Sequence, residues 1–214
     1  MIKNILIDLD GTLTDPKVGI TTSARYGLAK VGFPIQDDIN IDWIIGPPLK
    51  ASLAKLLNVD SEDDLAEQAL CGYRERFAVT GLYENKVYPT VKETLERLKQ
   101  KGYRLFIATA KPTIYAVQIL EHFELAQCFE KIYGSELTGE RTNKGDLIEY
   151  ILATEHLKPE ECFMVGDREH DILGARRSGI ETIAVRYGYG TADELKAAKP
   201  YAEIDQFSEL LKYF

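Results

Sequence analysis

Four short runs, IKNILIDL (2–9), YRLFIATA (103–110), CFMVGD (162–167) and ETIAVRYG (181–188), are nearly continuous in apolar and β-branched residues. A half-exposed strand would alternate instead. A strand that is apolar on both sides must be covered on both sides, as in a parallel sheet with helices on each face. The intervening segments supply amphipathic helices: TVKETLERLKQKG closing at Gly102, TIYAVQILEHF, KGDLIEYILATEHL, and EHDILGARRSG closing at Gly179. Alternating strand and helix predicts an α/β fold, a doubly wound parallel sheet with right-handed crossovers. Weaker runs, FEKIYG and AEI, extend the sheet.

The rhythm breaks between about Asp15 and Glu84. No β run stands out there, whereas TTSARYGLAKVG, PLKASLAKLLN and SEDDLAEQALCGYRERFA have helical periodicity, the last with Ser61 as N-cap. A single insertion needs only two linkers, here near TDPK and YENKVYP. The expected organisation is a core of residues 1–15 and 85–214 carrying a small helical cap of residues 16–84.

In an open parallel sheet, ligands bind beyond the carboxyl ends of the strands. Strand one ends at Asp8 and Asp10, the second run at Thr109 and Lys111, and MVGDREHD at Asp167 with Asp171 one turn further on. Lys144 opens the helix before that last strand and reaches the same end. Two like charges about 4 Å apart repel by roughly 4 kcal/mol at an effective dielectric near 20, so such a cluster needs a counter-charge. Carboxylate and carbonyl oxygens without clustered His or Cys favour a hard divalent ion, and Mg2+ suits a site that keeps positions open for phosphate. Asp8 then reads as a nucleophile toward phosphorus, and Asp10 as the acid that protonates the leaving oxygen and later activates water. The turn through Gly11 would offer backbone N–H groups to phosphate, Thr109 a hydroxyl, and Lys144 a positive charge.

These motifs in this order, DLDGT, ATA with Thr109, Lys144 and GDREHD, resemble the haloacid dehalogenase superfamily of phosphotransferases along the whole chain. The inserted segment is similar to the helical cap of its phosphoglycolate phosphatase-like members. The resemblance implies an aspartyl-phosphate mechanism with catalytic Asp8, Asp10, Thr109 and Lys144. It implies substrate contacts at Gly11, Thr109, Ala110 and Lys144. Mg2+ would be bound by Asp8, the Asp10 main-chain carbonyl, Asp167 and Asp171, the last directly or through water. The expected activity is Mg2+-dependent hydrolysis of a small phosphomonoester, with phosphoglycolate and nucleoside 5′-monophosphates both open as substrates. A sugar phosphomutase of the same superfamily is the enzymatic alternative. A receiver-like signalling module that forms a phospho-aspartate is the alternative from another class; the D-x-D on the first strand and the helical insertion argue against it.

The 26 basic and 34 acidic residues leave a net charge of −8, which disfavours nucleic-acid backbones and anionic membranes as partners. Cys71, Cys128 and Cys162 are odd in number and lack metal-ligand spacing, so they read as free thiols in a reducing cytoplasm. MIKNILIDLDG is interrupted by charge and glycine, unlike a signal peptide. A cytoplasmic monomer or weak homodimer is expected.

Several residues admit two readings. Lys111 either covers the strand end or contacts phosphate; Arg168 and His170 either meet solvent or support the site. The turn at Gly46 before PPLKASL either joins two cap helices or meets a substrate anion, and Arg74 and Arg76 read as a solvated face. His122 and His156 read as partners of helix C-termini. YGYGT (187–191) reads as a structural loop, with Thr191 and Glu194 in capping-box spacing.

Overall fold

A computed structural model describes residues 2–214. Six parallel strands form the main sheet: β1 (Asn4–Ile7), β4 (Arg104–Pro112), β5 (Lys131–Ser135), β6 (Cys162–Gly166), β7 (Glu181–Val185) and β8 (Ala202–Ile204). Their order is β5-β4-β1-β6-β7-β8, so β1 is central. The sheet is the doubly wound one the apolar runs predict, with FEKIYG and AEI as its edge strands.

Leu6, Phe106 and Met164 stand side by side on β1, β4 and β6. They pack with Leu147, Ile148 and Ile151 of α6 (Lys144–Thr154) and Ala175 of α7 (Glu169–Arg177). Ile5, Ile7, Leu105, Ile107 and Val165 alternate with them, face the other way, and are equally buried. Both faces are therefore sealed, and truncating one such residue to alanine would cost about 2–5 kcal/mol. The remaining core helices are α4 (Val91–Gln100), α5 (Thr113–His122) and α8 (Ala192–Ala198). Gly102 and Gly179 follow α4 and α7 with φ of 89° and 74°, the left-handed geometry of a helix stop.

The chain separates into two compact units, one of the residues up to Asp15 with Val87–Phe214, the other Pro16–Lys86. Two short strands, β2 (Thr14–Asp15) and β3 (Lys86–Val87), pair where the chain leaves and re-enters the core. The helical unit holds α1 (Lys17–Lys30), α2 (Leu49–Leu57) and α3 (Asp64–Arg76). α1 and α3 touch backbone to backbone: a Cβ on Gly72 would lie 2.9 Å from the Gly27 Cα. Asp63, not Ser61, caps α3, its carboxylate accepting from Leu65 N at 2.8 Å. Ser61 lies in the preceding turn, two residues before the cap position and too early to face the first free N–H groups. Arg76 is not a solvated residue either. It is held by both oxygens of Glu84 (2.7 and 2.9 Å) and donates to Ser23 Oγ at 3.1 Å. No helix among the described residues is long and apolar enough to cross a membrane.

Candidate active site

The carboxyl ends of β1, β4 and β6 converge because these strands are neighbours in register. Asp8 follows β1 directly, and its N–H donates to Val165 O at 2.9 Å, which fixes it beside the end of β6. Asn143 caps α6 through Gly145 N and Asp146 N, leaving Lys144 as the first helical residue with its side chain directed to the same place. Lys144 Nζ lies 2.9 Å from Asp8 Oδ1, 2.8 Å from Asp171 Oδ1 and 2.8 Å from Ala108 O. The ammonium donates to Asp8 Oδ1 and to Ala108 O and forms an ion pair with Asp171. Burial alone would depress the Lys144 pKa, but Asp171 and Asp8 outweigh it and push the ammonium well above its ordinary value.

Asp167 ends β6. Its oxygens accept from neutral groups, Tyr189 N at 2.7 Å and Thr12 Oγ1 at 3.4 Å. Burial, with Asp171 and Asp8 close by, raises its pKa well above its ordinary value. Asp171, one turn into α7, also accepts from Arg168 N at 3.1 Å; its carboxyl too is raised, by burial, against the opposing pull of Lys144. Oxygens of Asp8, Asp167 and Asp171 all lie within 4.8 Å of one another. Asp8, Asp10, Asp167 and Asp171 share the crevice with two lysines, and all six are at most 8% exposed. An all-oxygen set of three converging carboxyl groups is the donor chemistry of a hard divalent cation. The residues fit such an ion.

Asp10 stands apart from this triad. Its Oδ2 pairs with Lys111 Nζ at 2.8 Å, while Oδ1 is buried without a hydrogen-bond partner among the described residues. Burial raises its pKa and Lys111 counteracts part of that. Lys111, then, is part of the crevice and more than a cover for the strand end.

Thr109, Ala110 and Lys111 lie where the register of β4 on β5 shifts, between Ala108 and Pro112. Thr109 is buried and its Oγ1 accepts from Lys111 N at 3.3 Å; the Ala110 carbonyl accepts from Ser135 Oγ at 2.7 Å. The expectation for Gly11 needs correcting. Its N–H is already donated to Thr14 O at 2.8 Å, and those of Thr12, Leu13 and Thr14 turn back to Leu9 O, so this part of the turn offers no N–H to an anion. What Gly11 supplies is space and a φ of 82°: a Cβ there would fall 2.2 Å from Asp167 Oδ2.

Arg168, His170 and the YGYGT loop take different places around the crevice. Arg168 is tied to Glu194 (Nε to Oε1, 2.8 Å), which also accepts from Glu169 N, while His170 is exposed. The Tyr187–Gly190 loop touches Asp167 through its backbone, a contact no side-chain pattern announces.

The family model described as haloacid dehalogenase-like hydrolase matches residues 5–185. The chain belongs to this family. Among these hydrolases it is similar to a 5′-nucleotidase of Pseudomonas aeruginosa, 48% identical over 92% of this chain and 88% of the relative. It is 38% identical to the tyrosine-protein kinase PtkA of Mycobacterium tuberculosis, over 88% of this chain but only 64% of that relative's length. A phosphoglycolate phosphatase of Vibrio vulnificus is 31% identical over 98% of this chain and 95% of its own. A solved structure described as a predicted phosphatase from Clostridium acetobutylicum is 40% identical with a TM-score of 0.95, covering 100% and 98% of the two chains. This haloacid dehalogenase-like hydrolase is a phosphoric monoester hydrolase.

Proposed function

We propose that the enzyme hydrolyses a small phosphomonoester through a phospho-aspartate on Asp8, with Mg2+ at the acidic triad. The observation that carries this reading is the convergence of Asp8, Asp167 and Asp171 within 4.8 Å, with Lys144 bridging Asp8 and Asp171. An Asp8 oxygen attacks phosphorus and the ester P–O bond breaks. The leaving alkoxide is a poor leaving group and needs a proton, and Asp10, whose carboxyl is raised by burial and has Oδ1 unpartnered, is suited to give it. Asp10 then takes a proton from water as that water attacks the phospho-aspartate, which frees inorganic phosphate and Asp8. Lys144, 2.9 Å from Asp8 Oδ1, offsets charge on the nucleophile and on the transferring group. Thr109 contributes a hydroxyl to the phosphate. Mg2+, held by Asp8, Asp167, Asp171 and the Asp10 main-chain carbonyl, supplies Lewis-acid neutralisation of phosphate oxygens when bound.

The relative sharing 48% identity supports nucleoside 5′-monophosphates as the first substrate class, with phosphoglycolate second. Both are phosphate esters of a primary alcohol, so both need a proton donor. The helical unit, inserted in sequence just after the Asp10 turn, is the cap that selects the leaving group. Phosphate release should be measured across nucleoside monophosphates, phosphoglycolate and sugar phosphates, with Mg2+ and with a chelator. Mg2+-dependent multiple turnover on one class is expected; release indifferent to the metal, or none on any phosphomonoester, overturns the reading.

A further inference from the structure

The loop Tyr187–Gly190 follows β7 and reaches four parts of the core unit. Tyr189 N donates to Asp167 Oδ2 at 2.7 Å, while the Tyr189 hydroxyl donates to Asp15 Oδ1. The same side chain is hydrogen-bonded to Tyr88. Tyr187 donates its hydroxyl to Thr12 O at 2.7 Å and packs its ring on Tyr88, centroids 4.6 Å apart. Asp15 is the last core residue before the helical unit, and Tyr88 is one residue past the return strand. The intervening glycines permit the approach: a Cβ on Gly188 would lie 2.3 Å from Asp167 Cβ, and one on Gly190 would lie 2.0 Å from Asp167 O.

We propose that Tyr189 is a positioning residue that joins Asp167 to both chain crossings, so that cation binding at Asp167 and the mobility of those crossings are coupled. The inference rests on the metal reading of the triad. One residue holds the carboxylate with its backbone and the exit strand with its side chain, so a displacement of one is transmitted to the other through a single rigid side chain. Linkage makes this reciprocal: whatever orders the crossings tightens the cation site, and the cation orders the crossings. A hydrolase built this way admits substrate while its crossings are mobile and becomes more ordered once both ligands are present.

The test uses hydrogen exchange of residues 12–18 and 84–90 with and without Mg2+, beside Mg2+ affinity from competition with Mn2+ followed by electron paramagnetic resonance. Tyr189→Phe keeps the ring and the N–H and removes only the tether. In the wild type Mg2+ should slow exchange at both crossings; in Tyr189→Phe that slowing should vanish and the Mg2+ dissociation constant should rise roughly tenfold, within the usual range of coupling between two sites. Asp15→Asn retains an acceptor and should keep the response, whereas Asp15→Ala should lose it. The double variant Tyr189→Phe/Asp15→Ala should lose no more affinity than Tyr189→Phe alone, since removing the hydroxyl already removes its bond to Asp15. Crossings that still respond to Mg2+ in Tyr189→Phe as in the wild type overturn the proposal. Wild-type crossings that ignore bound Mg2+ overturn it while leaving the metal reading intact; a wild type that binds no Mg2+ removes both.

Discussion

Lys144 in the core holds one oxygen from each of two carboxylates, Asp8 and Asp171, whereas Arg76 in the helical unit holds both oxygens of a single one, Glu84. The second arrangement is complete: one cation, one anion, bidentate, at the rim of its unit. Arg76 holds the Glu84 carboxyl below its ordinary value of 4.5. The first is incomplete, because two more buried acids share the crevice and burial pushes Asp10, Asp167 and Asp171 upward. The two regions thus have opposite signs in their pH dependence. A carboxyl raised by folding keeps a proton that the unfolded chain releases, so it opposes folding as pH rises past the carboxylate range; a depressed one supports folding above that range. Incomplete charge compensation costs stability and leaves the crevice suited to a cation and a phosphate.

The sharpest break in this contrast comes from Asp8→Asn. Phosphatase turnover should fall on the order of 10^6-fold, the scale seen when a nucleophile is removed, while the melting temperature without Mg2+ holds or rises because one buried charge is gone. Near-normal turnover, measured as phosphate release, would exclude Asp8 as nucleophile. Lys144→Met should be the most destabilising substitution of the crevice, by about 3–5 kcal/mol in denaturant unfolding, since it strands Asp8 and Asp171. Adding Asp171→Asn should return part of that loss. If Lys144→Met costs no more than Arg76→Ala, the contrast collapses. Mg2+ at about 100 times its dissociation constant should stabilise the wild type by about 2.7 kcal/mol in thermal unfolding. The gain should shrink in Asp167→Asn and persist undiminished in Arg76→Ala. The smallest effect is that of Arg76→Ala itself, about 1 kcal/mol for a rim pair. Because Glu84 is held down, this cost should be full near neutrality and disappear as pH falls below about 4.5, which unfolding curves across pH would reveal.

The sheet was legible because strands sealed on both faces must be apolar along most of their length, and the central runs are. Asp8, Asp167, Asp171 and Lys144 could be brought together on paper because the strand-end rule supplies the third dimension. Lys111 was ambiguous for the opposite reason: its partnership with Asp10 depends on how β4 lies beside β1, which residue type alone does not encode. Tyr189 contributes a backbone N–H, and every residue but proline has one, so its contact with Asp167 leaves no trace in composition. The Gly11 error has the same root. Glycine signals a tight turn but not whether the N–H groups of that turn look outward or fold back onto Leu9 O and Thr14 O. Ser61 and Asp63 are both good caps, and only the register of the helix chooses between them.

The central position of β1 also dictates when the protein can fold during synthesis. β1 leaves the ribosome first, yet its two sheet partners, β4 and β6, end about 100 and 160 residues later in the chain. Until residue 166 has emerged, the edges of β1 have no complete set of neighbours, and an unpaired apolar strand is a template for misassembly. The helical unit has no such delay, since Pro16–Lys86 is one unbroken stretch of chain. It can fold while β1 waits. A nascent chain arrested shortly after residue 130 would then carry a protease-resistant segment of helices flanked by sensitive ends, and resistance at residues 4–7 would arise only once β6 is free of the exit tunnel.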